Sequence, residues 1–158
     1  MKSKSKNVII LNQIQDIIAI QLKAQGYQKS GRTFNKEISN GLIHVINFQM
    51  GTRSMEGQFT VNLGVFIDEL DQIKTQSTKK SIINEYECSI RARLNELTTD
   101  NDDWFDLNEN VTQTAKTISN VLAEEATQWF KSFNSREIII KNLQKLSIGK
   151  FKNSSRSK

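Results

Sequence analysis

The sequence predicts an α+β domain, in which an antiparallel sheet of about four to five strands carries N-terminal and C-terminal helices packed on one face. Three observations support this prediction. Apolar residues recur at helical spacing near both ends, strand-like alternation fills the middle, and the 158 residues are most simply one domain. With 37% hydrophobic and 25% charged residues, the composition is that of a soluble globular protein.

Helices are predicted at the two ends of the domain. The first runs from Asn7 to about Gln25 and is stopped by Gly26. A second runs from about Val111 to Phe133, and a third begins after Ser135. The apolar stripe of the first helix comprises Leu11, Ile14, Ile18 and Leu22, and it is widened by Ile10 and Ile17. That of the second comprises Val111, Ala115, Ile118, Leu122, Ala126 and Trp129, and that of the third comprises Ile139, Leu143 and Leu146.

Four segments between these helices are predicted as strands. "RTFNKEI" and "GLIHVINFQM" form a hairpin around Ser39-Asn40-Gly41, because Asn-Gly is a strong turn signal. "GQFTVNLGVFI" shows the clearest alternation, and "CSIRARL" is a further strand with Cys88, Ile90, Ala92 and Leu94 on its apolar side. The polar segment before it is expected to hold a short helix around Glu69 to Ile73.

The apolar residues also predict how the central strands pair. A slip of one residue would turn every side chain to the wrong face, so apolar residues must lie opposite one another. This requirement pairs Met50 with Phe59, Phe48 with Val61, and Ile46 with Leu63. The position of Phe34 stays open, because a two-residue turn would place it on the polar face and a longer loop would turn it inward.

The same register collects polar side chains on the opposite face of the sheet. Arg91 and Arg93 are two residues apart, so they share one face of their strand. Arginine fits a carboxylate or a phosphate with a planar fork of donors, and amides add donors and acceptors. The predicted ligand-binding residues are Arg91, Arg93, Asn47, Gln49, Asn62 and Thr60.

A second interpretation of this face needs no ligand. The uncovered face of an antiparallel sheet is normally polar, and its arginines can pair with local acids such as Glu37 or Glu87. The concentration of amides on adjacent strands favours the binding hypothesis, since a merely solvated face more often carries Lys, Glu and Thr.

Several classes of site find no support in the sequence. Cys88 and His44 are the only cysteine and histidine, which excludes an intramolecular disulfide and a Cys/His zinc site. The acidic run from Asp100 to Glu109 lacks the glycine and glutamate of a calcium loop. His44 is expected on the helix-facing side, near Glu37, as a packed or edge residue. We therefore predict no catalytic residues, metal or cofactor.

The net charge of +5 lies in the two ends of the chain. Residues 1–6 and 150–158 hold seven of the 22 basic residues, which leaves 15 basic against 17 acidic residues between them. We expect two disordered basic tails, 1–6 and 150–158, around a single domain of residues 7–149. Such tails would attract nucleic acid only weakly and in a salt-sensitive way.

Several short stretches also resemble a known family. "QGYQKSGRTFNK", "VINFQM", "FTVNLGVF", "CSIRARL" and "WFDL" follow one another as in the bacterial family called domain of unknown function 4304, over roughly Leu11 to Phe133. The resemblance implies a small cytosolic bacterial α+β domain without an established activity. Positions typical of the family overlap the polar face: Gln49, Asn62, Gly64, Cys88, Arg91 or Arg93, and Trp104.

These observations lead to a functional expectation. We expect a cytoplasmic, non-catalytic binding domain, because the chain has no long apolar run and no apolar stretch typical of a signal peptide. Its partner would be an anionic small molecule or an acidic protein surface, as in a toxin-neutralising or regulatory protein. The alternatives are an enzyme that handles phosphate or nucleotides, and weak nucleic-acid binding through the tails.

Overall fold

One antiparallel sheet organises the computed structural model, which describes residues 5–71, 82–99 and 104–145. Within these residues the sheet has six strands in the order β1-β2-β3-β4-β5, and β6 also pairs with β4. The strands are β1 (Gln28–Ser30), β2 (Thr33–Ser39), β3 (Leu42–Met50), β4 (Gln58–Ile67), β5 (Ile90–Arg93) and β6 (Phe105–Asp106). The predicted α+β class is confirmed, and the strands that were not predicted, β1 and β6, are short.

Helices begin and end the described chain. Helix α1 (Lys6–Ala24) starts after Ser5, whose side chain accepts a hydrogen bond from the Val8 backbone N–H. A short helix, α2 (Glu96–Thr99), follows β5. Near the C-terminus α3 (Val111–Val121) continues through a π-helical turn (Leu122–Ala126) into α4 (Thr127–Lys131), and α5 spans residues 136–145. None of the described helices is long and apolar enough to cross a membrane.

The main core lies between the helices and one face of the sheet. Phe34, Phe48 and Phe59 are completely or almost completely buried there, together with Leu63 from the same face. Helices α1 and α3 pack on this layer through their predicted stripes. The buried helical residues are Leu11, Ile14, Ile18, Leu22, Ala115, Ile118, Leu122, Ala126 and Phe130.

The predicted register of the central strands is confirmed. Met50 pairs with Phe59 and Phe48 pairs with Val61, so the apolar residues of β3 and β4 lie on one face as expected. The alternation of the two strands was sufficient to align them.

A β-bulge decides where Phe34 points. Ser39 pairs with Leu42 around a two-residue turn, but the register shifts by one residue between Glu37 and Ser39. Phe34 therefore lies opposite Ile46 and inside the core, although the turn is short. The extra residue of the bulge replaces the longer loop that an inward Phe34 would otherwise need.

Three predicted core positions differ from the structure. Cys88 lies on the far side of the sheet, against Val45 and Phe66, because residues Glu85–Glu87 form a 3₁₀ turn and the alternation of β5 does not reach Cys88. Ile17 and Leu143 are substantially exposed, since each lies at the edge of its helix's packed stripe.

Some predictions concern residues that the structure does not describe. Residues 1–4 and 146–158, which include most of both predicted tails and Leu146, lie outside the described ranges, as do Ile73 and residues 100–103 of the acidic run. Lys6, assigned to the N-terminal tail, is the first residue of α1, and its Nζ lies 2.6 Å from a carboxylate oxygen of Glu109.

Candidate functional site

The six predicted site residues lie on the face of the sheet that the helices leave open. Asn47 pairs with Asn62, Gln49 with Thr60, and Asn62 with Arg93 on the next strand. Arg91 is opposite Gly64, two positions farther along β4. We call this set the polar sheet face: Asn47, Gln49, Thr60, Asn62, Arg91 and Arg93.

A chain of amide hydrogen bonds crosses the polar sheet face. The Nδ2 of Asn62 donates to Oε1 of Gln49 at 2.9 Å and to Oδ1 of Asn47 at 3.2 Å. Asn47 in turn donates from Nδ2 to the hydroxyl of Thr33 at 3.0 Å. Among the described residues, the Nε2 donors of Gln49 and the Oδ1 acceptor of Asn62 have no hydrogen-bond partner. The chain fixes three amides and leaves one donor group and one acceptor for a ligand.

Thr60 lies below the accessible surface of this face. Its side chain is fully buried, and within the described ranges its Oγ1 has no hydrogen-bond partner. The register of β6 against β4, where Phe105 pairs with Phe59, places Trp104 next to Thr60. A ligand could therefore reach Thr60 only after its neighbours move.

Arg91 is held by an acid that the sequence analysis did not identify. Its Nε donates to Oε1 of Glu85 at 2.6 Å, rather than to Glu37 or Glu87. About half of the Arg91 side chain is exposed, and its two terminal nitrogens donate to none of the described residues. The hydrogen bond to Glu85 raises the pKa of Arg91. Glu85 thus orients the guanidinium and leaves its outer edge accessible.

Arg93 is positioned by an aromatic ring. Its guanidinium carbon lies 5.5 Å from the centre of the Trp104 ring, a distance typical of a cation–π contact. Arg91 is thus held by a carboxylate, and Arg93 lies against an indole ring.

These side chains surround a shallow pocket of about 210 Å³. Besides the predicted Gln49, Asn62, Arg91 and Arg93, its lining includes Ala92, Glu85 and Glu96. The two glutamates balance the two arginines in formal charge. Neither glutamate was predicted from the sequence. For Glu85 a local signal exists, because Asn84 and Glu87 have the spacing of a capping box, which indicates the turn that brings Glu85 to this face.

The segment 82–88 covers the other end of the same face. Asn35 donates from Nδ2 to the Ile83 carbonyl at 2.9 Å and accepts from the Ile83 N–H at 2.7 Å. Cys88 then packs over Gly64, where an added Cβ would lie 2.6 Å from the Cys88 Sγ. Burial raises the pKa of the Cys88 thiol to about 12. This segment makes one end of the face a small apolar cluster and leaves the pocket at the other end.

His44 lies on the other face of the sheet. It stacks on Phe130 with ring centres 4.3 Å apart, and its Nε2 lies 2.9 Å from the Phe133 carbonyl oxygen. It pairs across the strands with Lys36 and not with Glu37, because the bulge shifts the register of β2. Burial lowers the pKa of His44. His44 is therefore a packed residue and does not share a cleft with Arg91 and Arg93.

The described residues contain no group of three or more His, Cys, Asp or Glu side chains suited to hold a metal ion. The polar sheet face thus offers two guanidinium groups, amides and two carboxylates as its chemical groups.

Comparison with known proteins identifies a family but no activity. Residues 18–132, which are most of the chain, match the family described as Domain of unknown function (DUF4304). No curated protein and no solved structure matches the chain significantly. The resemblance noted in the sequence is confirmed, over a range that starts a few residues later than expected. The chain belongs to the DUF4304 family.

Proposed function

We propose that this domain is a cytoplasmic, non-catalytic binding module whose polar sheet face holds an acidic segment of a partner protein. One observation carries the proposal. Arg91 is held by Glu85 through Nε, while its terminal nitrogens donate to none of the described residues, and it lines the same pocket as Gln49, whose Nε2 donors are also unused there. A toxin-neutralising or regulatory role in a bacterium would be consistent with this kind of binding.

The exposed edge of Arg91 suits a carboxylate. Two terminal N–H groups of a guanidinium can donate in parallel to both oxygens of a carboxylate. Such a bond benefits when the arginine is already held in place, because less side-chain entropy is lost on binding. The 2.6 Å hydrogen bond to Glu85 provides this preorganisation.

The balance of charges favours a polypeptide over a small free anion. Glu85 and Glu96 line the same pocket as Arg91 and Arg93, so a small anion would meet carboxylates as well as guanidinium groups among the described lining. A polypeptide brings backbone N–H donors as well as carboxylates. Those donors can bind the free Oδ1 of Asn62 and the carboxylate of Glu96, while an acidic side chain binds Arg91.

Other hypotheses from the sequence have less support. The hypothesis of a phosphate-handling enzyme that uses His44 as its base has less support, because His44 is packed on the opposite face of the sheet from the arginines. Anionic small molecules and weak nucleic-acid binding through the basic ends remain alternatives that the same experiment separates.

The test compares two arginines that each form an ion pair with a glutamate. Arg91 binds Glu85 through Nε alone, whereas Arg136 binds Glu69 through both Nε and a terminal nitrogen, away from the polar sheet face. We expect Arg91→Gln to weaken binding of a fluorescently labelled acidic peptide, such as oligoglutamate, at least about tenfold. Arg136→Gln should leave the anisotropy titration unchanged.

Three controls distinguish the alternatives. A chain lacking residues 1–4 and 150–158 should retain the salt-resistant part of the binding, because tail electrostatics are strongly salt-dependent. If inorganic phosphate displaces the labelled peptide at concentrations near those of the peptide, the result would favour a small anion as the ligand. Equal weakening by Arg91→Gln and Arg136→Gln would show a general charge effect and contradict the proposal.

A further inference from the structure

A second pocket lies on the other side of the sheet, between β2, β3 and α4. Its volume is about 320 Å³, and its lining includes Tyr27, Lys36, His44, Phe130 and Lys131. Among the described residues that line it, Lys36 and Lys131 are the charged ones and none is a carboxylate. In this respect it differs from the pocket of the polar sheet face, whose lining includes Glu85 and Glu96 as well as two arginines.

His44 presents one defined nitrogen to this pocket. Its Nε2 lies 2.9 Å from the carbonyl oxygen of Phe133, which can only accept a hydrogen bond, so Nε2 carries the proton. In the neutral ring Nδ1 is then an acceptor, and it has no hydrogen-bond partner among the described residues. Protonation of His44 would turn Nδ1 into a donor and add a third positive charge to the pocket.

The pocket also has apolar walls. The ring of Phe130 stacks on His44, and the Lys36 ammonium lies 5.8 Å from the centre of the Tyr27 ring. Tyr27 and Phe130 are both buried, so their positions are set by the core. The combination of fixed aromatic rings with two ammonium groups is typical of a site for an anion that carries an apolar body.

The helix beside the pocket has an irregular turn. The π-helical turn Leu122–Ala126 ends directly before Thr127, whose hydroxyl donates to the Leu122 carbonyl at 3.1 Å. Thr127 also lines the pocket. π turns within α-helices occur frequently at functional sites, and this one determines which side chains of α4 reach the cavity.

We propose that this pocket is a second ligand site, independent of the polar sheet face, for a small organic anion that carries a carboxylate or phosphate on an aromatic or apolar body. The anionic group lies between Lys36, Lys131 and Nδ1 of His44. The apolar body lies against Tyr27, Ile38 and Phe130.

The proposal couples ligand binding to the protonation of His44. Burial, and then the charge of Lys36, lower the pKa of His44 in the empty pocket, while the hydrogen bond to the Phe133 carbonyl opposes them. The other titratable groups among the described lining of the pocket are Tyr27 and Lys131, and that lining includes no carboxylate. A bound anion would favour the imidazolium and raise the pKa of His44, so the affinity should increase as the pH falls.

His44 allows this coupling to be measured directly. It is the only histidine, so its ring Cε1–H gives a single proton NMR signal in the full chain. The signal is followed from about pH 5 to 8, where histidine titrates, without ligand and with benzoate, phenyl phosphate or neutral phenol. We expect benzoate or phenyl phosphate to raise the pKa of His44 by about half a unit or more, and phenol to leave it unchanged.

Lysine variants test where the anion binds. Lys36→Met and Lys131→Met keep the aliphatic stems but remove the charges. In each variant the rise in the pKa of His44 that the anion causes should be at least about fivefold smaller than in wild type. Lys116→Met, an exposed lysine on α3, is the matched control and should retain it. A response to benzoate alone or to phenyl phosphate alone would identify the preferred anion.

The proposal is overturned if neither anion changes the His44 titration, if phenol changes it equally, or if both pocket lysine variants respond like wild type. In Arg91→Gln, the anions should raise the pKa of His44 as they do in wild type. A failure of the proposal for the polar sheet face would therefore not affect this result. A well-dispersed NMR spectrum of each variant shows that the fold is retained.

Discussion

The two faces of the sheet come from alternate residues of the same strands but differ in what they contribute. In β4, Phe59, Val61 and Leu63 are fully buried against the helices, whereas Thr60 and Asn62 belong to the polar sheet face. One face consists of close-packed aromatic and aliphatic side chains. The other is a network of amides, arginines and glutamates around an open pocket. Under the proposed function, one set of alternating positions stabilises the fold and the other set binds the partner.

The open face is itself divided into two ends. Segment 82–88 closes one end, where Cys88 packs on Val45 and Phe66, and the arginine pocket lies at the other. The closed end holds the segment that supplies Glu85. The proposed binding at the pocket would therefore depend on a local structure that is separate from the main core.

The largest expected loss of stability comes from a substitution on the helix-covered face. Phe48 is buried between Phe34 and Phe59, with ring centres 6.0 Å and 6.5 Å away. Phe48→Ala removes these contacts and leaves a cavity, so we expect the free energy of unfolding to fall by about 3–5 kcal/mol in chemical denaturation.

The matched control for this variant is its neighbour in the strand. Asn47→Ala removes hydrogen bonds to Thr33 and Asn62 on the opposite face, at an expected cost of about 1–2 kcal/mol. Equal losses from the two variants would contradict the division of roles between the faces.

The next effect concerns the closed end of the open face. A Cβ at Gly64 would lie 2.6 Å from Sγ and 2.9 Å from Cβ of Cys88, so Gly64→Ala must displace segment 82–88. We expect a loss of about 1–3 kcal/mol in the free energy of unfolding. Alkylation of Cys88 should also become faster, because the displaced thiol loses the burial that raises its pKa to about 12.

A double variant tests whether contact with Cys88 causes the loss of stability in Gly64→Ala. Cys88→Ala removes the Sγ atom, so Gly64→Ala should cost less in that background than in wild type. If the two substitutions are strictly additive, contact with the Sγ of Cys88 is not the reason for the loss.

A smaller effect should appear in the pH dependence of stability. The folded pKa of His44 lies below its unfolded value near 6.5, so the unfolded chain binds the proton first as the pH falls. This contribution to stability is complete above the unfolded pKa and is lost as the pH falls toward the folded pKa. The slope for one proton is at most about 1.4 kcal/mol per pH unit.

The control for this prediction is His44→Gln, which can still donate to the Phe133 carbonyl. Denaturant unfolding of wild type should weaken from pH 7 toward about pH 5 more than that of the variant. Parallel profiles for the two proteins would show that His44 does not cause the pH dependence.

Sequence patterns predicted those features that are set by alternation. They predicted the register of β3 with β4, and they placed Arg91 and Arg93 beside Asn62 on one face, since each is a consequence of burying one face of a strand. Helix α1 was predicted to within about a residue, because its stripe and its glycine stop are both local signals.

Other features depend on interactions that no local pattern records. The β-bulge near Ile38 inserts a single residue without a glycine or proline to indicate it, and it determined the position of Phe34 and the cross-strand partner of His44. The ion pair between Glu85 and Arg91 requires the path of segment 82–88, which is set by the hydrogen bonds between Asn35 and Ile83. Cys88 was misplaced for the same reason.

The most direct test of the central claim measures stability and binding together on Arg91→Ala. Arg91 is about half exposed and its ion pair is at the surface, so the free energy of unfolding should change by less than about 1 kcal/mol. Binding of the acidic peptide should fall at least about tenfold. A variant that unfolds, or one that binds the peptide as tightly as wild type, would contradict the claim that Arg91 serves recognition and not stability.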